Sequence, residues 1–172
     1  MALIVEDGTA LADAESYISV ADATAYHAAR GNSAWAALAS DTVREQALRK
    51  AADYLGETYR DRWTGYRVTT TQALDWPRYG APRRDLPSDG YHVQYASDVI
   101  PAEVVRACAE LAIRAAAGDL TEDEEQRIAA VSAGSVSVTF QAGSSPRKKF
   151  PAVDGLLRPL LKANGGIAVA RA

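Results

Sequence analysis

Val43, Ala47, Leu48, Ala51 and Leu55 recur at three- and four-residue spacing, so they line one face of an α-helix starting after Asp41. A helix with such a stripe has to bury it against another element. A second stripe, Val104, Cys108, Leu111 and Ala115, opens at Pro101, a residue type favoured at the first helical position, and closes at Gly118. Glu45 with Arg49 and Glu110 with Arg114 are spaced to pair on the exposed sides. Ser19 can cap a further helix from Val20 to about Arg30, with Asp22 in its first turn and Gly31 as its stop. A short helical turn is expected around Trp35 to Leu38, and one from Gln72 to Asp75 capped by Thr70 or Thr71 and ended by Pro77. Thr121 and Glu124 form a capping box for a weaker helix through Val131. The alanine-rich apolar fraction favours thin helix–helix contacts. These readings give a mainly α fold, a helical bundle, and 172 residues fit one structural domain burying roughly 70% of its unfolded surface.

After Gly134 the period changes. Val136, Val138 and Phe140 alternate with Ser135, Ser137 and Thr139, as in a half-buried strand. The AGSSPRK segment reads as a hairpin turn and Lys148 to Val153 as the returning strand. The last segment, LLRPLLKANGGIAVARA, is apolar and basic and is interrupted by Pro159 and the Gly165–Gly166 pair; it reads as an extended arm that orders on a partner. The chain thus divides into a helical body (1–133), a small β-hairpin appendage (134–150) and a C-terminal docking arm (151–172).

The net charge of -3 does not by itself imply a nucleic-acid or membrane partner, but its distribution is uneven. Asp119 to Glu125 is acidic, whereas Arg147, Lys148, Lys149, Arg158, Lys162 and Arg171 face only Asp154 beyond Gln141. Such segregation suits subunits that meet complementary surfaces. The single Cys108 excludes an internal disulfide and falls on an apolar helix face, where an inert packing role is expected. The opening MALIVEDGTALADAE lacks the basic lead and apolar core of a signal peptide, and no apolar run approaches the roughly 20 residues of a membrane span. His27 and His92 are far apart, without cysteine or carboxylates at ligand spacing, so no metal site is expected. The acidic DLTEDEE stretch lacks the glycine and alternating oxygen ligands of a calcium loop. No phosphate-binding glycine loop or nucleophile elbow occurs, and Ser144 and Ser145 have no histidine close in sequence. The expectation is a soluble, intracellular interaction protein, not an enzyme, with no cofactor.

One stretch departs from the helical pattern. RDRWTGYRVTTTQALDWPRY, Arg60 to Tyr79, gathers Trp63, Trp76, Tyr66 and Tyr79 among Arg60, Arg62, Arg67 and Arg78, with Tyr59 just before it. Arginine with aromatics is the composition of a recognition surface. The tryptophans equally suit plugging a gap between helices under a cover of arginines, and both readings stand. Gly80 to Gly90, rich in proline, glycine and charge, reads as a surface loop that would leave Arg78, Arg83 and Arg84 exposed.

The segments ALIVEDGTALADAESYISVADATAYHAARGN, YRDRWTGYRVTTTQALDWPRYG, IPAEVVRACAELA, SVSVTF and FPAVDGLLRPLL together resemble a tailed-phage family. Its members are labelled DnaT-like single-stranded-DNA-binding proteins and are encoded among head and neck genes. The pattern is also similar to head–tail connector (adaptor, or head-completion) proteins. That resemblance implies a structural virion protein made in the host bacterial cytoplasm, forming a homo-oligomeric ring of about twelve copies beneath the portal. The ring would extend the channel for packaged double-stranded DNA and meet a stopper or tail-completion protein below. In that scheme Leu156, Leu157, Leu160, Leu161, Ile167 and Val169 would anchor the arm on the portal, with Arg158, Lys162 and Arg171 meeting acidic groups. Val136, Val138 and Phe140 would seal one subunit against the next, while Trp76, Arg78, Arg83 and Arg84 would face a neighbour or DNA. The alternative is a single-stranded-DNA binder, with Trp63, Tyr66, Trp76 and Tyr79 stacking on bases and Arg60, Arg62, Arg67 and Arg78 holding the backbone.

Overall fold

The computed structural model describes residues 2–86, 93–121, 130–133, 136–139 and 149–162, the two short segments between 130 and 139 through their backbone. The elements run α1 (Val20–Ala28), α2 (Ser33–Ala36), α3 (Asp41–Tyr59), a 3-10 turn (Arg60–Arg62), β1 (Tyr66–Arg67), β2 (Arg78–Tyr79), α4 (Ala102–Ala117), β3 (Ala130–Ala133), β4 (Val136–Thr139), α5 (Pro151–Leu157) and a second 3-10 turn (Arg158–Leu160). The fold is mainly α with small β-hairpins.

Helices α3 and α4 form the centre, and α5 packs on α4. Ala47, Leu48, Ala51 and Leu55 of α3 are buried with Val104, Cys108, Leu111 and Ala115 of α4, as their spacing requires; Val43 is half-buried. Ala52, Ala107, Ala109 and Ala112 are buried too. These methyl-sized side chains let the two helices approach closely. Helix α3 is capped by Ser40, whose Oγ accepts from Val43 N at 3.3 Å, so Asp41 lies inside the helix. Pro101 likewise sits at the cap of α4, one position ahead of the expected place. Arg44 fastens the short α2 from outside by donating to the Ala36 and Leu38 carbonyls.

Three expectations are corrected here. The first concerns the arm. Val153, Leu157, Leu160 and Leu161 lie in the same core as α3 and α4, and Leu156 packs half-buried against it. Val153 and Leu157 are four residues apart on one helix face, and Pro159 falls in the first turn of a 3-10 helix, where no N–H is required. The proline therefore redirects the chain without releasing it. Leu160 O accepts from Thr64 N (3.0 Å) and Thr64 Oγ1 (2.9 Å), Lys162 N donates to Arg62 O (2.7 Å), and Tyr59 Oη donates to Asp154 Oδ1 (2.7 Å). Leu157, Leu160 and Leu161 are thus core residues of their own chain and not anchors for a foreign one. Arg158 and Lys162 are exposed; Ile167, Val169 and Arg171 lie outside the described residues.

The second correction is to the C-terminal hairpin. β4, with Val136 and Val138, pairs antiparallel with β3 before it, in the register Ala130↔Thr139 to Ala133↔Val136. The strand partner therefore precedes it and overlaps the expected helix at Ala130 and Val131, while 151–153 begin α5 instead of a returning strand. Phe140 lies outside the described residues, as do 122–129. The third is the turn Gln72–Asp75, which is not helical. Its capping chemistry is nevertheless present one residue earlier. Thr69 Oγ1 accepts from Gln72 N at 3.0 Å while Gln72 Oε1 accepts from Thr69 N at 2.9 Å.

His27 is buried between α1 and α4. Its Nε2 lies 3.1 Å from Ala109 O and its Nδ1 3.0 Å from Asn32 Nδ2, with the Trp35 ring 4.8 Å away. The carbonyl needs a donor and the amide an acceptor, which fits the neutral tautomer protonated at Nε2. Burial holds the imidazole below its ordinary pKa; the Ala109 bond and Glu110 oppose this, and Arg30 and Arg114 add to it. Above about pH 6.5 both folded and unfolded states keep His27 neutral and its contribution is complete. Below that the unfolded chain takes the extra proton, so stability falls with pH until the folded imidazole also titrates. Urea midpoints measured from pH 8 to pH 5 are expected to decline below about pH 6.5, and that decline to flatten in His27→Gln.

Candidate nucleic-acid interface

The Arg/aromatic stretch folds into a two-stranded ribbon raised on the end of α3. After the 3-10 turn the chain straightens at Trp63 and turns sharply at Gly65 (φ +67°). A side chain at Gly65 would be strained by that φ, and a Cβ there would meet Tyr79 O at 2.4 Å. β1 then pairs antiparallel with β2, Tyr66 opposite Tyr79 and Arg67 opposite Arg78. Because side chains alternate across a strand, this register puts the two tyrosines on one face and the two arginines on the other.

The two faces differ sharply in exposure. Tyr66 is 76% and Tyr79 66% exposed, and Val68 just beyond β1 is also exposed. Arg78 is buried, contrary to the expected exposure. Its Nε donates to Thr64 O (2.8 Å), its Nη1 to Asp75 O (3.1 Å) and its Nη2 to Gly65 O (2.7 Å). One guanidinium thus binds three carbonyls from both arms of the ribbon. Burial lowers its proton affinity, Arg67 opposite adds to this, and Asp75 and Tyr17 oppose it. It serves as a clamp beneath the ribbon and is not available to a ligand.

The tryptophans belong to the interior. Trp63 and Trp76 are fully buried, 5.9 Å apart edge to face, in a run of rings that continues to Tyr59 on one side and Tyr95 on the other. Tyr17 Oη accepts from the backbone N of both Asp75 and Trp76, which pins the loop to the body. Of the proposed stacking residues, therefore, Tyr66 and Tyr79 are brought together at the surface, and Trp63 and Trp76 are withdrawn from it. Gln72 is buried in the loop between the strands, donating to Leu74 O and Pro77 O. Its role follows from that fold alone and had no motif to announce it.

Among the described residues, Arg62 and Lys162 are exposed cations close to the start of the ribbon. Arg62 lies on the segment leading into β1, with its guanidinium over the Tyr59 ring at 5.2 Å. Lys162 is held beside it through its own backbone bond to Arg62 O, and its Nζ donates to Asp61 O at 3.0 Å. Arg67 is half-buried. Arg60 is engaged elsewhere, its Nε 3.1 Å from Asp75 Oδ1. Arg83 lies over the Tyr95 ring at 5.1 Å and pairs with Asp85 at 3.6 Å, and Arg84 is exposed. The loop's start is tied down, since Arg83 N donates to Val93 O and Tyr95 N to Ala81 O; residues 87–92 lie outside the described set.

A pair of open phenol rings on a ribbon whose lead-in segment carries Arg62, with Lys162 bonded to that segment, has the makings of a stacking platform with backbone-neutralising charge. Cys108, by contrast, is buried and its thiol is pushed up to about 11 by burial, which leaves it inert. Comparison with curated proteins and with solved structures returns no match. The family described as "Putative DnaT-like ssDNA binding protein" matches over residues 1–172, and the chain belongs to that family.

Proposed function

We propose that this protein binds single-stranded DNA through the β1–β2 ribbon, with Tyr66 and Tyr79 stacking on bases and Arg62 and Lys162 contacting the phosphate backbone. The observation that carries this reading is the cross-strand tyrosine pair, which stays open to solvent although every other aromatic of the Arg60–Tyr79 stretch is buried. Family membership supports the same ligand. Stacking on an aromatic ring tolerates any base, so binding should depend weakly on sequence and strongly on salt.

The family match also corrects the connector reading. It points to a DnaT-like single-stranded-DNA-binding protein, and nothing in it indicates a head–tail connector, a structural virion protein, a portal-bound ring, a stopper contact or a channel for double-stranded DNA. The burial of Leu157, Leu160 and Leu161 removes three of the six apolar anchors on which that docking scheme depended.

Fluorescence anisotropy with a labelled oligothymidylate tests the proposal. Tyr66→Ala and Tyr79→Ala are each expected to weaken binding by about 1–3 kcal/mol, roughly 5- to 150-fold, while leaving the far-ultraviolet circular dichroism unchanged. Arg62→Ala and Lys162→Ala should each flatten the dependence of affinity on salt. Wild-type affinity in the double tyrosine variant would exclude the ribbon as the binding surface.

A further inference from the structure

On the side of α3 where Arg60 meets Asp75 lies a cleft of about 350 Å³ lined by Tyr17, Asp53, Gly56, Glu57, Arg60, Asp61 and Asp75, among others. Four carboxylates and a single guanidinium line it. Asp53, Glu57 and Asp61 follow one another at four-residue spacing along one face of α3 and its 3-10 extension. Like charges at that spacing destabilise a helix. Asp53 feels it: burial first, and then Glu57 and Glu15, hold its carboxyl above the ordinary range.

Asp75 provides the second, separate observation. It is 1% exposed, and Arg60 Nε satisfies its Oδ1, but its Oδ2 is buried with no hydrogen-bond partner. A buried carboxylate oxygen left unpaired is costly unless something donates to it. Gly56 is the third. Glycine inside a helix is unfavourable compared with alanine, and nothing in the backbone of α3 calls for it. What it provides is space: a methyl group on Gly56 would lie 3.3 Å from Arg60 Nη2 and 3.8 Å from Asp75 Oδ2. The helix thus keeps an unfavourable residue where the cleft needs depth.

We infer that this cleft is a binding site for a cationic side chain, a guanidinium or ammonium group on a basic peptide segment of a protein partner. Arg60 supplies the precedent, because one guanidinium already docks on Asp75 and leaves the second carboxylate oxygen without a donor. Glu57, Asp61 and Asp53, all exposed along the cleft, would hold the incoming charge. Among the described residues no group of three or more His, Cys, Asp or Glu is placed to hold a metal ion, so an organic cation is the better fit. Phosphates are repelled by the same carboxylates, which keeps this cleft distinct from the tyrosine ribbon.

The test is anisotropy of a fluorescein-labelled tetra-arginine peptide titrated with the full chain at low salt. Saturable binding is expected, weakened at least about tenfold by Glu57→Gln/Asp61→Asn and by Gly56→Ala, and little changed by Asp7→Asn/Asp13→Asn, an equal loss of charge elsewhere. Gly56→Ala should melt no lower than the wild type, since alanine is the better helix former, so lost binding in that variant reports the cleft and not unfolding. No binding to the wild type, or equal binding to all variants, would overturn the inference. Displacement of the peptide by millimolar magnesium at constant ionic strength would assign the cleft to a metal and overturn it as well. Oligothymidylate binding measured on the same samples reports the ribbon separately, so failure of either reading is visible alone.

Discussion

Trp76→Ala is expected to lower the free energy of unfolding by about 3–5 kcal/mol, the loss typical of a fully buried tryptophan. Trp76 is enclosed edge to face by Trp63 and Tyr95, and its backbone N and that of Asp75 both bond to Tyr17 Oη. Removing the indole leaves a large void at the base of the ribbon, and surrounding rings can close it only in part. Urea denaturation measures this loss directly. The comparison with Tyr66→Ala separates the two roles an aromatic can have in this stretch. Tyr66→Ala should leave the urea midpoint nearly unchanged and weaken DNA binding. Trp76→Ala should shift the midpoint strongly, and any loss of DNA binding should track the fraction unfolded. A Trp76 variant of normal stability that no longer bound DNA would return the tryptophan to the list of stacking residues.

The second large effect is at Arg78. Arg78→Ala is expected to cost about 3–5 kcal/mol, because it leaves Thr64 O, Gly65 O and Asp75 O without their donor at a buried site. Arg78→Lys should recover only a minor part. A lysine has a single charged nitrogen, whereas these three carbonyls are served by all three nitrogens of a planar fork. The loss should be felt locally as well. With the clamp gone, Tyr66 and Tyr79 have less to hold them in register, so DNA affinity should fall even under conditions where the protein remains folded. Denaturation curves give the first quantity, and anisotropy well below the melting temperature gives the second. Full stability and affinity in Arg78→Lys would show that the fork geometry is not needed.

The site was only partly readable from its residues. Composition singled out the stretch that forms the candidate ribbon, since an arginine- and aromatic-rich segment without helical period is visible in one dimension. It did not tell which aromatics face water. That choice depends on register, and a two-residue strand is too short to display alternation: Tyr66-Arg67 and Arg78-Tyr79 become informative only once they are known to pair. Arg78 was misread for the same reason. Neighbouring glycine and proline suggested a surface loop, but a guanidinium can be buried wherever enough carbonyls converge on it, and those carbonyls come from residues 64, 65 and 75. The cleft had a weak trace in the spacing of Asp53, Glu57 and Asp61, and none for Asp75, which reaches it from another part of the chain.

Local chemistry fixed what repeats locally. The stripes of α3 and α4 had to be buried, Ser19 had to cap α1, and Gly118 had to end α4, because each depends on neighbours within one or two helical turns. Residues 150–161 mark the limit. The same leucines could be covered by another polypeptide or by the chain's own helices, and the apolar pattern is identical in both cases. Only the packed structure decided it, through the fit of Val153, Leu157, Leu160 and Leu161 against α3 and α4 and the bonds from Thr64 to Leu160 O. Hydrophobicity specifies that a surface be covered; long-range geometry specifies by what.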